Sequence, residues 1–148
     1  MPDKPALKVI RCDPGVHLPE YESEGAAGMD LRAFLLNDID IPPAGRAKIP
    51  TGLKLEIPDG FEAQIRPRSG LAIRYGITVL NSPGTIDSDY RGDLEIILIN
   101  HGEAVFTVKN GDRIAQMVIA PVCRAMICEA LTISSSIRGS GGFGSTGI

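Results

Sequence analysis

Glycine and proline restrict this chain more than any other feature. Seventeen glycines and eleven prolines in 148 residues interrupt nearly every stretch before it could complete three helical turns, since each glycine costs a helix interior about 1 kcal/mol and each proline about 3 kcal/mol. What survives between them alternates. "FEAQIRP" sets Phe61, Ala63 and Ile65 against Glu62, Gln64 and Arg66, the period-two pattern of a half-buried strand. It follows "RAKIPTGLKLEI" across the turn residues "PDG", and the two runs together predict a hairpin. "LEIILIN", "VFTVK" and "RIAQMVIAPV", separated by "HGEA" and "NGD", continue the rhythm of short strands and tight turns.

An all-β sandwich, jelly roll or distorted barrel follows, because a parallel sheet would require crossover helices. The one helix expected is short and lies near "GLAIRYG", where Leu71, Ala72 and Ile73 stand between two glycines. The length and a 43% hydrophobic content suit a single ordinary core. From about Ser134 onward Ser, Gly and Thr replace the apolar residues. Residues 1–137 are therefore expected to form one core domain and residues 138–148 a mobile C-terminal arm.

A net charge of -3 and a pI near 5.3 leave no general basic face to displace counterions from a nucleic acid, so none is expected as a partner. No apolar run approaches the roughly 20 residues of a membrane helix. Cys12, Cys123 and Cys128 are odd in number and lack CxxC or Cys/His spacing, which reads as reduced thiols in a cytoplasmic protein. The opening "MPDKPALKVI" has prolines and an acid where a signal peptide would have a cationic and then an apolar stretch.

Five segments carry polar chemistry. "NSPGTIDSDYRGDL" holds Asp87, Asp89 and Asp93 between apolar runs. A calcium loop fails there, because Arg91 and Leu98 occupy positions that need oxygen ligands. What remains is either a solvated loop or a ribbon in which Ile86 and Tyr90 alternate with Asp87 and Asp89, offering a general base beside an aromatic platform. "RPRSGL" places Arg66, Arg68, Ser69 and Gly70 together, as a phosphate fork with a hydroxyl and an approachable backbone, or as a solvated basic turn. "GAAGMDLRA" and "GDRIAQMVIAP" set Asp30 and Gln116 within apolar runs, where a satisfied core polar residue is the commoner case.

The fifth segment, "RGSGGFGSTGI", spells GxGxxG but has no helix after it for a dinucleotide site, and it lacks the lysine of a phosphate loop. It reads as a flexible end, yet Arg138 offers a planar fork and Phe143 a stacking face. Serine nucleophile chemistry lacks the GxSxG elbow, and two histidines are too few for a zinc hydrolase.

Taken in order, "AGMDLRA", "PRSGLA", "NSPGTIDSDYRG", "GDRIAQM" and "RGSGGFGSTG" resemble the five motifs of the trimeric deoxyuridine triphosphate nucleotidohydrolases, the dUTPases, from end to end. The resemblance implies a distorted β jelly roll of the β-clip kind, assembled as a homotrimer with active sites shared between subunits. It implies hydrolysis of dUTP to dUMP and pyrophosphate with Mg²⁺, which limits uracil in DNA and supplies dUMP for thymidylate. Asp87 would be the general base for water attacking the α-phosphorus. Asn81, with Gly84, Thr85 and Ile86 of the same segment, would read the uracil edge, and Tyr90 would exclude a 2′-hydroxyl. Arg68, Ser69, Gly70 and Gln116 would hold the phosphates, and Asp30 would hold the magnesium ion through water. In the arm, Arg138 would reach the γ-phosphate and Phe143 would stack on the uracil, while Gly142, Gly144, Ser145 and Thr146 wrapped the phosphates. Two other readings fit the same architecture: a deoxycytidine triphosphate deaminase, and a catalytically silent nucleotide sensor.

Overall fold

The computed structural model describes residues 4–147. Among them the elements in chain order are β1 (Lys8–Arg11), β2 (Met29–Arg32), β3 (Ile39–Ile41), β4 (Arg46–Glu56), β5 (Phe61–Arg66), α1 (Ser69–Tyr75), β6 (Ile77–Val79), β7 (Gly84–Ile86), β8 (Asp93–Asn100), β9 (Phe106–Val108) and β10 (Arg113–Pro121). They form two four-stranded sheets, ordered β1-β4-β8-β6 and β2-β10-β5-β7, and the pair β3-β9. The all-β expectation and the single short helix both hold. α1 stops at Gly76, whose φ is +68° and whose N–H returns to the carbonyls of Leu71 and Ala72. A Cβ there would lie 2.5 Å from the Gly102 backbone nitrogen, so only glycine fits this cap.

Alternation builds the core. β4 buries Ile49, Thr51, Leu53 and Leu55, β8 buries Leu94, Ile96, Leu98 and Asn100, and the second sheet answers with Met29, Leu31, Ala63, Ile65, Ala115 and Met117. The apolar members form one cluster, and each large side chain in it contributes about 1.5–3 kcal/mol. The two buried polar groups are satisfied. Thr51 Oγ1 donates to the Leu94 carbonyl at 2.6 Å. Asn100 Nδ2 donates to the carbonyls of Ile41 and Ala104, and its Oδ1 accepts from the Gly102 N–H, all at 2.8 Å. Asn100 thereby ties the end of β8 to β3 and to the following turn.

The connections differ from the expected hairpins. No two successive strands pair with each other, and every connection carries the chain to a different sheet. β4 pairs with β1 and β8, whereas β5 pairs with β10 and β7, so the expected β4–β5 hairpin does not form. The turn explains why. Pro58–Phe61 is closed by the Phe61 N–H on the Pro58 carbonyl at 3.2 Å, with a positive φ only at its third residue, Gly60, at +83°. That is the type II sense, which splays the flanking strands, whereas hairpins need the primed turns. Lys109–Asp112 repeats the device: Gly111 has φ +86° and Asn110 does not have a positive φ. Its groups tie to the chain after β2 instead, with the Gly111 N–H on the Ala33 carbonyl at 2.8 Å and the Leu35 N–H on Asn110 Oδ1 at 2.9 Å. A jelly roll results.

After β10 the chain leaves this body. Residues 121–140 are all exposed, among them Met126, Ile127, Leu131, Ile133 and Ile137. Among the described residues no helix is long and apolar enough to cross a membrane.

Candidate active site

Two groups of the expected residues lie on or beside the β2-β10-β5-β7 sheet. The first is built by strand register. Asp30 on β2 faces Gln116 on β10, which faces Arg66 on β5; directly opposed residues share a face, so these three point away from the core. Asp30 Oδ1 is 3.4 Å from Arg68 Nε, and its Oδ2 accepts from Arg113 Nη1 at 3.2 Å. Arg68 also donates to the Arg113 carbonyl at 3.1 Å. The Asp30 side chain is only 15% exposed. Its expected reading as a satisfied polar residue thus holds in part, with arginines as its partners. Gln116 Nε2 donates to the Pro67 carbonyl at 3.0 Å, which pins the segment leading into Ser69 and Gly70 beside Asp30. Gly28 makes room for this amide: a Cβ there would stand 2.5 Å from Gln116 Oε1. Ser69 and Gly70 open α1 and are exposed.

The second group surrounds β7. Thr85, Ile86, Asp87 and Tyr90 line a cavity of about 290 Å³ together with Lys48, Asp93, Glu95 and Ile97. The strand pattern expected through residues 86–90 does not continue past Ile86. Asp87–Tyr90 is a turn instead, closed by the Tyr90 N–H on the Asp87 carbonyl at 3.1 Å. The turn takes Asp87 out of the sheet and leaves it exposed. Among the described residues its carboxylate has no hydrogen-bond or ion-pair partner. Tyr90 is held more firmly, its hydroxyl donating to the Asp93 carbonyl at 3.0 Å. Arg91 braces the turn by donating to the Ser88 carbonyl at 2.6 Å. Asn81 lies in the preceding turn with its Nδ2 beside Gly84, where a Cβ would come within 3.3 Å.

Within one chain the two groups stay apart. Asp87 follows Ile86, which faces Ala63, while Asp30 faces the residue opposite Arg66. Three strand spacings and three to four residue rises separate them, roughly 20 Å. The ladder of Arg66 Nη2 to Gln64 Oε1 at 2.7 Å and Gln64 Nε2 to Glu62 Oε1 lies along the strand between.

A third group sits on the arm as a run of tight turns. Arg138 Nε donates to the Gly141 carbonyl at 2.8 Å. Gly142–Ser145 closes through the Ser145 N–H at 3.0 Å, with positive φ at both Phe143 and Gly144, as a type I′ turn requires. Phe143 therefore stands fully in solvent on a backbone conformation unusual for an aromatic residue. Ser145 and Thr146 are exposed beside it. Ile148 lies outside the described residues.

The family model described as dUTPase matches residues 15–147. The chain belongs to the dUTPase family. Deoxyuridine 5'-triphosphate nucleotidohydrolase from Rhizobium etli (strain CIAT 652) is 56% identical, with 98% of this chain and 96% of that protein covered. The enzyme of the same name from Rhizobium leguminosarum bv. trifolii is 55% identical over the same shares. Among solved structures, the dUTPase of Staphylococcus bacteriophage 80alpha with dUPNHPP superposes with a TM-score of 0.88 at 25% identity, covering 97% of this chain and 99% of that one. The dUTPase match spans all three groups of residues. Arg113, Lys48 and Glu95 were not among the residues expected at the site. Arg113 stands inside "GDRIAQM", but its partner Asp30 is 83 positions away; Lys48 and Glu95 are outward residues of β4 and β8, paired at 3.1 Å.

Proposed function

We propose that this chain hydrolyses dUTP to dUMP and pyrophosphate, with Asp87 as the general base. The observation that carries the reading is the uncommitted Asp87 carboxylate, presented by a turn at the mouth of a cavity that Thr85, Ile86 and Tyr90 also line. A base must be free to accept a proton and reach a water. Family membership and the 80alpha enzyme's bound dUPNHPP support dUTP as the substrate. In this reading Asp87 orients and deprotonates the water that attacks the α-phosphorus, in line with departing pyrophosphate. The amide of Asn81 and the backbone of Gly84, Thr85 and Ile86 read the uracil edge. A base with the wrong donors leaves such groups unpaired, which discriminates strongly. The Tyr90 ring occupies the space a 2′-hydroxyl would need.

Arg68, Ser69, Gly70 and Gln116 hold the phosphates, and they come from a second copy, since one chain leaves the Asp30 group they belong to roughly 15–20 Å from Asp87. Homotrimeric assembly accommodates this. The exposed Met126, Ile127, Leu131, Ile133 and Ile137 between β10 and the arm support association too, because large apolar side chains gathered in one exposed stretch call for cover. The arm from Arg138 to Thr146 closes over the nucleotide, with Phe143 stacking on the uracil.

Among the described residues no set of three or more carboxylate, histidine or cysteine side chains could cage a metal ion. The single, mostly buried carboxylate of Asp30 suits Mg²⁺, which binds through one or two carboxylates while phosphates and water fill the rest. Asp30 would hold it through water. Bound there, the ion would neutralise charge on the triphosphate. Cytoplasmic location and a role in lowering dUTP while supplying dUMP complete the proposal.

The test is pyrophosphate release from dUTP, UTP, dTTP and dCTP with Mg²⁺. Release from dUTP alone is expected. Ammonia from dCTP, or binding of dUTP without cleavage, would contradict the reading.

A further inference from the structure

Resting on that reading of the cavity, we propose that Gly92 is a positioning residue that decides where the Tyr90 ring lies and, through it, how strictly the sugar is selected. A Cβ built on Gly92 would stand 2.4 Å from the Tyr90 hydroxyl oxygen, 2.6 Å from Cζ and 3.0 Å from Cε2. These are far closer than carbon atoms approach in contact. Gly92 has no positive φ, so no left-handed backbone demands glycine here, and the three atoms a Cβ would meet first all belong to Tyr90. The ring folds back over the Gly92 backbone, and its hydroxyl reaches the next carbonyl, that of Asp93, at 3.0 Å. Seat and hydrogen bond together fix a side chain that is otherwise 45% exposed.

The conflict a methyl would create lies at the far end of a side chain, and the ring can swing away without moving the strand. The space beside it is the cavity that Tyr90 lines with Asp87 and Ile86, so a displaced ring changes the shape of that cavity. Gly92 thus acts through Tyr90 on ligand geometry and little on stability.

The experiment compares wild type, Gly92→Ala, Tyr90→Ala and the double variant by thermal unfolding and by kcat/KM for dUTP and UTP. Gly92→Ala is expected to keep its unfolding midpoint within a few degrees while the dUTP to UTP preference falls at least about tenfold. In the Tyr90→Ala background the same substitution is expected to change kcat/KM less than about twofold, because the ring it displaces is gone. An unchanged preference in Gly92→Ala, or an equal loss with and without the ring, would overturn the proposal. Should Gly92→Ala fail to fold, the double variant decides: folding restored by removing the ring supports the seat, and a double variant that also fails overturns it. Wild type that binds no dUTP overturns the reading and this inference together, whereas a selective wild type with an equally selective Gly92→Ala overturns the inference alone.

Discussion

Asp30 and Asp87 are the same residue type in opposite settings. Asp30 sits on a strand, mostly buried, with an arginine at each oxygen. Asp87 sits one residue beyond a strand, on a turn, exposed and without a partner among the described residues. Two flanking guanidinium groups hold the Asp30 carboxylate in one place, the setting of an anchor. A carboxylate without partners is free to meet a water, the setting proposed for the base. Position relative to a strand end separates the two settings.

The sharpest way to break this comparison is Asp87→Asn. The variant is expected to fold and bind dUTP while kcat falls by about 10²–10⁴, read as pyrophosphate release under saturating dUTP. Turnover within about tenfold of wild type would move the base elsewhere. Truncation after Ile137 comes next. It removes the Arg138 and Phe143 turns but none of the core cluster, so the unfolding midpoint should hold while kcat/KM falls by on the order of 10². Unchanged turnover would leave the arm without a catalytic part.

Asp30→Asn probes the other carboxylate. Arg68 and Arg113 would then face each other across a neutral amide, and urea unfolding should register a loss of about 1–2 kcal/mol, together with a raised Mg²⁺ requirement. Unaltered stability would mean the arginines do not depend on it. The smallest effect belongs to Glu56, whose carboxyl is held below the ordinary range by the hydrogen bond and charge of Lys8 at 2.8 Å. A lowered carboxyl contributes stability above the unfolded-state value and loses it as pH falls through the folded one. Glu56→Gln should therefore melt within about 2 °C of wild type near neutrality, and that small gap should vanish in acid. A gap that widens in acid would reverse the sign.

Much of the fold was legible because alternation reports burial directly. Ala63 and Ile65 point inward and Arg66 outward, as "FEAQIRP" requires. Pairing was not legible. "PDG" and "NGD" mark turns, but a hairpin depends on whether the residue before the glycine also takes a positive φ, and in both turns it does not. At the site, the five motif segments named the residues without their partners. Arg113 could be read as one more charge in "GDRIAQM" until register placed it beside Asp30. Asp87 and Tyr90 read as two faces of a ribbon, because the turn that separates them is closed by backbone atoms. The distance between the two groups of residues belongs to sheet order, which local sequence does not encode.

That distance sets the most direct test: whether one active site takes Asp87 from one copy and Arg68 from another. Asp87→Asn and Arg68→Ala chains, each inactive alone, are co-expressed and purified as a mixed assembly. With random mixing about a quarter of the sites would combine an intact Asp87 with an intact Arg68 from different chains, and dUTP hydrolysis is expected to return to about that level. Mixed assemblies that stay as inactive as either parent would place both residues of each site on one chain and contradict the shared site.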